Sequence, residues 1–209
     1  MNKLLHISAS PRGERSESLA IAATFLDTFR ETHPEVAVET FDLWDGTLPE
    51  FGPDAAAAKM AVFAGQAPQG AAAVAWQAAT DTFRRFDAAD GYLFSVPMWN
   101  AGVPYILKQF IDVVSQPGWV FGVDPVTGYS HLLEGRGTRV AVIYTSAVWG
   151  PDLGPEFGRD SQSVYFTDWL RWTGLTDTSE IRFHPTLTGD RDAGRQAADA
   201  AARDLAKTF

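Results

Sequence analysis

The sequence predicts an α/β fold: a doubly wound, five-stranded parallel sheet with helices on both faces. Short apolar runs alternate with longer stretches of helical periodicity along the chain. Three of those runs, Lys3–Ala9 (KLLHISA), Gly91–Val96 (GYLFSV) and Thr138–Thr145 (TRVAVIYT), are close to continuously apolar. Strands covered on both faces of a parallel sheet have this composition. The intervening segments are long enough for right-handed helical crossovers. No internal repeat or low-complexity linker divides the 209 residues, so residues 1–209 read as one domain, with a small hairpin insertion near 116–137.

The elements follow in order. Lys3–Ala9 is the first buried strand. Ser16–Glu31 is a helix, because Leu19, Ala22, Ala23, Leu26 and Phe29 recur at spacings of three and four, with Ser16 or Ser18 as its cap. Val36–Phe41 alternates and is β-rich, a second strand. Asp45–Pro53, broken by glycine and proline, is a loop. The alanine-rich stretch 54–88 reads as two helices interrupted near Gly65–Gly70. Gly91–Val96 is the third strand, stopped by Pro97. Val103–Ser115 is a helix with Pro104 in its first turn and one apolar face, from which Lys108 and Asp112 are excluded. Residues 116–137, rich in glycine and aromatics, read as a hairpin turning at Asp124–Gly128. Thr138–Thr145 is the fourth strand, Gly150–Gly158 a loop, Asp160–Thr173 a helix, Thr178–Phe183 the fifth strand and Asp190–Lys207 the closing helix.

Composition narrows the chemistry. There are no cysteines, which excludes disulfides, thiolate nucleophiles and iron–sulfur clusters. The four histidines stand singly, so no pair has metal-ligand spacing, and no G-x-S-x-G elbow is present. A formal charge of −9, from 17 basic and 26 acidic residues, argues against a nucleic-acid partner, which needs a basic stripe. The first residues do not read as a signal peptide, and no apolar run is long enough to span a membrane. A cytoplasmic protein without a membrane partner is the expectation. Seven tryptophans are many for this length.

In open α/β sheets the ligand lies beyond the carboxyl ends of the strands. The loops after strands one, three and four are therefore expected to carry the function. The first, Ser8-Ala9-Ser10-Pro11-Arg12-Gly13-Glu14-Arg15-Ser16-Glu17-Ser18, feeds straight into a helix. Hydroxyl groups and the free N–H groups of a helix start make a phosphate nest, with charge available from Arg12 or Arg15. No Walker pattern is present. The second loop, Pro97-Met98-Trp99-Asn100-Ala101-Gly102-Val103-Pro104, combines two prolines, a glycine expected to make the turn, apolar surface from Met98 and Trp99, and the amide of Asn100. A planar heteroaromatic ring with a polar edge fits it; alone, the same residues also read as core and turn. The third loop, Thr145-Ser146-Ala147-Val148-Trp149-Gly150, adds another tryptophan and another turn. With Gly118-Trp119-Val120-Phe121-Gly122, three tryptophans are expected to ring one end of the sheet, while Trp169 and Trp172 read as core.

The chain resembles the FMN-dependent NADH:quinone oxidoreductases, also called FMN-dependent azoreductases, over nearly its whole length. The specific stretch is P-M-[YW]-N-x-x-x-P-x-x-L-K-x-[FY]-x-D, here Pro97, Met98, Trp99, Asn100, Pro104, Leu107, Lys108, Phe110 and Asp112. The resemblance implies a flavodoxin-like fold. It implies that Ser10, Ser16, Glu17 and Ser18 hold the phosphate of FMN, and that Met98, Trp99, Asn100 and Ala101 lie along its ring. The family's third motif is Ser-x-Gly-Gly; here Ser146 is followed by Ala147, Val148, Trp149 and Gly150, which removes the glycine pair and lets Trp149 reshape the pocket. The implied reaction is two-step hydride transfer from NADH or NADPH, through FMN, to a quinone or azo compound. No catalytic side chain is assigned. Trp119, Phe121 and Trp149 are the candidate walls of the substrate slot, and a homodimer is expected. A FAD-using quinone reductase, a free-flavin reductase and a flavodoxin-like electron carrier are the alternatives.

Overall fold

The structure is a computed structural model that describes residues 1–209. In chain order it contains β1 (Lys3–Ser8), α1 (Glu17–Thr32), β2 (Ala37–Asp42), α2 (Pro53–Phe63), α3 (Gly70–Asp87), β3 (Gly91–Pro97), α4 (Tyr105–Val114), β4 (Phe121–Asp124), β5 (Gly128–His131), β6 (Arg139–Thr145), α5 (Gln162–Thr173), β7 (Asp177–Phe183) and α6 (Arg191–Thr208). The main sheet is five-stranded in the order β2-β1-β3-β6-β7, and every pairing in it is parallel. The predicted doubly wound fold is observed.

Period-two alternation divides the core between the two faces of this sheet. Leu5 and Ile7, Tyr92, Phe94 and Val96, and Val140, Val142 and Tyr144 point to the layer that includes α3, α4 and α5. Leu4, Leu93, Ala141 and Ile143 point to the opposite layer, made by α1 and α6. The central strands are thus buried on both sides, and apart from His6, Ser8, Ser95 and Thr145 their buried residues are apolar or aromatic. Truncating the fully buried Phe94 to alanine is expected to cost about 3–5 kcal/mol. The edge strand β2 buries only Phe41. On the same face as Phe41 it carries the half-buried Glu39, which pairs with Lys3 at 2.6 Å and Arg85 at 2.5 Å, a charged edge of the kind that resists further strand addition.

Local boundaries depart from the sequence expectation in readable ways. Pro104 caps α4 from outside, in extended backbone, so the helix begins one residue after it. Asp160 precedes α5 and its carboxylate accepts the Ser163 N–H at 2.8 Å, so the helix begins at Gln162. Lys108 and Asp112 lie off the buried face of α4 as expected and pair across one turn at 2.6 Å. Gly174 ends α5 at φ +98°, where a Cβ would stand 2.5 Å from the Glu134 nitrogen; only glycine fits both the dihedral and the space.

The hairpin forms as expected, with β4 and β5 antiparallel and Asp124 opposite Gly128. Its position differs from expectation. A crossover helix runs antiparallel to the strands it connects, so the segment after α4 begins at their amino ends. Leu133 N–H donates to the Thr173 carbonyl at 3.1 Å, which anchors the end of the hairpin on the last turn of α5. The hairpin therefore docks against the lower half of the helical layer. No helix is long and apolar enough to cross a membrane.

Candidate functional site

The first loop is built around three buried hydroxyls. Ser10, Ser16 and Ser18 are each no more than 3% exposed, although they sit in a loop at the surface. Ser16 caps α1: its Oγ accepts the Leu19 N–H at 3.3 Å and lies 3.2 Å from Ser18 Oγ. Ser18 is thus a second hydroxyl in the first turn, and Ser16 is the cap. The Ala20 N–H reaches the Ser16 carbonyl, whereas the amides of Glu17 and Ser18 have no partner within the chain. Two unpaired helix-start N–H groups beside buried hydroxyls fit an oxyanion such as a phosphate. Arg12 and Arg15 are exposed beside them.

Glu17 plays a different part from the one expected. Its carboxylate is turned to α6, where it bonds Arg191 and, at 3.0 Å, Arg195. Only its backbone N–H faces the nest. The ion pairs ground the start of α1 on the start of α6.

The second loop is fixed by its backbone. Trp99 and Gly102 exchange both N–H···O bonds at 2.9 Å, closing a two-residue turn whose central residues, Asn100 and Ala101, have φ of +50° and +68°. This left-handed pair is the signature of a primed turn. Asparagine tolerates it; alanine does so at a cost of about 1–2 kcal/mol. Gly102 was expected to make the turn and does not. The surroundings hold the strained pair in place: Met98 N–H donates to the Thr145 carbonyl at 2.7 Å, Ser161 N–H to the Ala101 carbonyl at 3.0 Å, and Gln162 Nε2 to the Val96 carbonyl at 2.7 Å. Such strain, held by neighbours, is typical of a ligand-contacting loop.

The third loop comes alongside. Thr186 N–H bonds the Ser146 carbonyl at 2.8 Å and Leu187 N–H the Ala147 carbonyl at 3.0 Å. Trp149 meets His184 edge to face, with ring centroids 4.9 Å apart. Burial of His184 lowers its pKa from the usual value, which favours the neutral ring against the indole. Met98, Asn100, Ala101 and Ser146–Trp149 together line one cavity of about 240 Å³. The second and third loops thus meet, as expected.

Trp99 faces the other way, into an aromatic cluster with Trp44 and Tyr105 at 5.8 and 6.1 Å. Trp44 was missed from the sequence. It sits just after β2 and its indole N–H donates to the Ala9 carbonyl at 3.1 Å, so it joins the first loop to the second. The rule that all strand carboxyl ends converge covers the second strand as well and was the available signal. Phe157 and Arg159 also line the cavity; they follow a glycine- and proline-rich stretch with no motif of its own.

Trp119 and Phe121 do not join this site. Trp119 stacks on Phe83 at 4.9 Å and packs against Trp76, under α3. Phe121 packs on Trp172 at 4.7 Å. With Lys59, Tyr165 and Trp169, Phe121 and Trp172 line a separate groove of about 560 Å³. Within one subunit they lie apart from the loop cavity because the hairpin begins where α4 ends, at the amino ends of the strands. Trp169 is core as expected, while Trp172 is only partly buried on the wall of that groove.

The nest after β1 and the ring-sized cavity between the loops after β3 and β6 define a flavodoxin-like protein with a phosphate-and-ring site. A family model described as "Flavodoxin-like fold" matches residues 2–208. The FMN-dependent NADH:quinone oxidoreductase of Ruegeria pomeroyi is 43% identical over 202 residues, covering 96% of this chain and 98% of that protein. The protein of the same name from Desulfotalea psychrophila is 39% identical, covering 96% and 93%. In fold, the chain matches an azoreductase from Bacillus anthracis with a TM-score of 0.89 at 24% identity over the full length of both chains. A Bacillus anthracis FMN-dependent NADH-azoreductase solved with FMN matches with a TM-score of 0.88 at 22% identity, over 100% of this chain and 99% of that one. The chain belongs to the FMN-dependent NADH:quinone oxidoreductase family.

Proposed function

We propose that this protein is an FMN-dependent oxidoreductase that takes electrons from NADH or NADPH and reduces quinones and azo compounds. The observation that carries the reading is the pairing of an oxyanion nest, with the unpaired amides of Glu17 and Ser18, with the cavity between Met98–Ala101 and Ser146–Trp149. FMN, when bound, supplies the redox chemistry, accepting hydride from the donor and delivering it to the acceptor.

The chain's own residues bind, orient and enclose. The amides of Glu17 and Ser18 and the hydroxyls of Ser10, Ser16 and Ser18 hold the phosphate. Asn100 offers both a donor and an acceptor to the polar edge of the ring. Met98, Ala101 and Trp149 provide flat or polarisable apolar contact. Trp99 acts from behind, bracing the turn through Trp44 and Tyr105. No side chain serves as nucleophile, in keeping with a reaction whose reactive atoms belong to the cofactor.

Trp149 is the slot wall within one subunit. The homodimer belongs to this proposal: the groove bearing Phe121 is flanked by the exposed Phe63, Val123 and Tyr129, and this is the apolar surface a second copy would cover. Sedimentation measures it directly. The cytoplasmic location is part of the same proposal, and cell fractionation tests it.

The deciding experiment is an absorbance spectrum of the purified protein, followed by titration with FMN and FAD and by NADH and NADPH oxidation with a quinone and an azo dye. A flavin spectrum, near-stoichiometric FMN binding and acceptor-dependent turnover are expected. FAD preferred with FMN ignored would overturn the FMN assignment in favour of a FAD-using reductase.

A further inference from the structure

Arg159 stands out among the cations of this acidic chain. Of the 17 lysines and arginines, eleven reach a carboxylate. Arg12, Arg15, Lys59, Arg159, Arg171 and Arg203 do not. Arg12 and Arg15 stand beside the phosphate nest. Arg159 stands on the wall of the cavity formed by the second and third loops, and it is the one charged residue there.

The backbone on either side of Arg159 is fixed. Gly158 precedes it at φ +99°, a conformation that turns the chain sharply after Phe157. Asp160 follows, held by the Ser163 N–H at 2.8 Å and by Arg182 at 3.3 Å. Ser161 then bonds the Ala101 carbonyl at 3.0 Å, so the segment carrying Arg159 is tied to the strained turn itself. Neither neighbouring acid pairs with it: Asp160 bonds Arg182 and Ser163, and the Glu156 carboxylate lies against Gly154. No residue of the phosphate nest lines this cavity, so the charge of Arg159 is additional to that of the nest. Aromatic surface lies next to it, from Trp149 and Phe157.

We propose that Arg159 is a specificity-determining residue that recognises a negative charge, phosphate, sulfonate or carboxylate, on a flat aromatic ligand entering this cavity. The proposal rests on the reading of the cavity as the flavin and substrate site. A guanidinium presents a planar fork to such oxyanions. In a chain of net charge −9, an unpaired arginine at the cavity rim offsets the repulsion an anionic ligand otherwise meets. Two sources share this chemistry: the phosphates of the nicotinamide donor and an acid group on the acceptor.

The test compares FMN-loaded wild type with Arg159→Gln and Arg159→Lys. The probes are 1-naphthalenesulfonate and its neutral counterpart 1-naphthalenemethanol, neither of them reducible, with binding read from the flavin absorbance. R159Q is expected to weaken the sulfonate about tenfold, to change the neutral probe less than twofold, and to lose its effect at high salt. R159K is expected to retain part of the sulfonate affinity. A KM for NADH that rises in R159Q while a neutral quinone's stays fixed assigns the charge to the donor. A KM that rises only for a sulfonated azo dye assigns it to the acceptor. Equal weakening of both naphthalenes, or a loss of FMN affinity in R159Q, overturns the proposal. Wild type that takes up no FMN overturns the reading of the site itself.

Discussion

The Ser161 N–H donates to the Ala101 carbonyl at 3.0 Å, which places a hydrogen bond from the entrance of α5 on a residue whose φ is +68°. A residue other than glycine or asparagine rarely holds that dihedral. The bond shows how it is held here: the strained turn is part of a closed frame with α5 and the end of β3.

That frame makes Ala101 sensitive to shape at Cβ. Ala101→Val is expected to lower the unfolding free energy by more than about 1 kcal/mol and to weaken FMN binding. For Ala101→Gly, relief of strain and added chain entropy nearly cancel, so stability is expected to change by less than about 1 kcal/mol. Urea unfolding with FMN titration checks both. Equal losses in the two variants would show that the dihedral is not what matters.

The phosphate nest separates FMN from riboflavin, because only FMN carries the phosphate. Ser18→Ala and the double variant Arg12→Ala with Arg15→Ala are each expected to weaken FMN severalfold more than riboflavin. The arginine effect should fade as salt rises, since both side chains are exposed. Unchanged FMN affinity in the arginine variant would leave the serines and the backbone amides as sufficient.

Glu17 separates backbone from side chain. Its carboxylate is held by Arg191 and Arg195, so Glu17→Gln should cost about 1 kcal/mol of stability through the α1–α6 contact. FMN affinity should hold within a few-fold, because the amide stays in place. A large drop in FMN affinity with stability unchanged would return the carboxylate to the site.

Asn100→Ala should lower flavin-dependent turnover far more than Trp76→Ala. Asn100 lines the cavity between the loops, whereas Trp76 packs on Trp119. Steady-state NADH oxidation with saturating FMN compares them, and equal effects would mean that the site is misplaced.

His6 predicts acid sensitivity. It is buried within β1, with Nε2 2.8 Å from Ser95 Oγ. Burial, and secondarily the charge of Arg30, lowers its pKa from 6.5 to about 4. Above pH 6.5 the ring is neutral whether the chain is folded or not, and there is no penalty. Between 6.5 and 4 the unfolded chain takes up a proton that the folded one refuses, so stability falls as pH falls, by up to about 3 kcal/mol. Measured from pH 7.5 to 4.5, wild type should lose more stability than His6→Gln. Parallel curves would place the acid sensitivity elsewhere.

Most of the fold was legible because each element announces itself through nearest neighbours in sequence. The β1, β3 and β6 runs are apolar on both faces, and the breaks at Pro97 and Gly65–Gly70 fall where elements end. The serine-rich loop and the Met98–Ala101 stretch were legible for the same reason, being contiguous and following strands. What escaped involves partners far apart in the chain. Glu17 was read with the serines beside it, but Arg191 and Arg195 lie more than 170 residues away and claim its carboxylate. Trp119 was read by its aromatic company, yet the direction of α4 carries it away from the flavin loops.

The sequence by itself determined the sheet, its helical layers and the three loops that follow β1, β3 and β6, because periodicity and turn chemistry are local properties. Only the tertiary structure decided which side chains meet. It paired Trp44 with Trp99, set Arg159 on the wall beside Asn100, and made Asn100 and Ala101, rather than Gly102, carry the left-handed turn. The physical reason is the same in each case: a side chain's role depends on packing and charge partners from other elements, and those are fixed only when the crossovers close around the sheet.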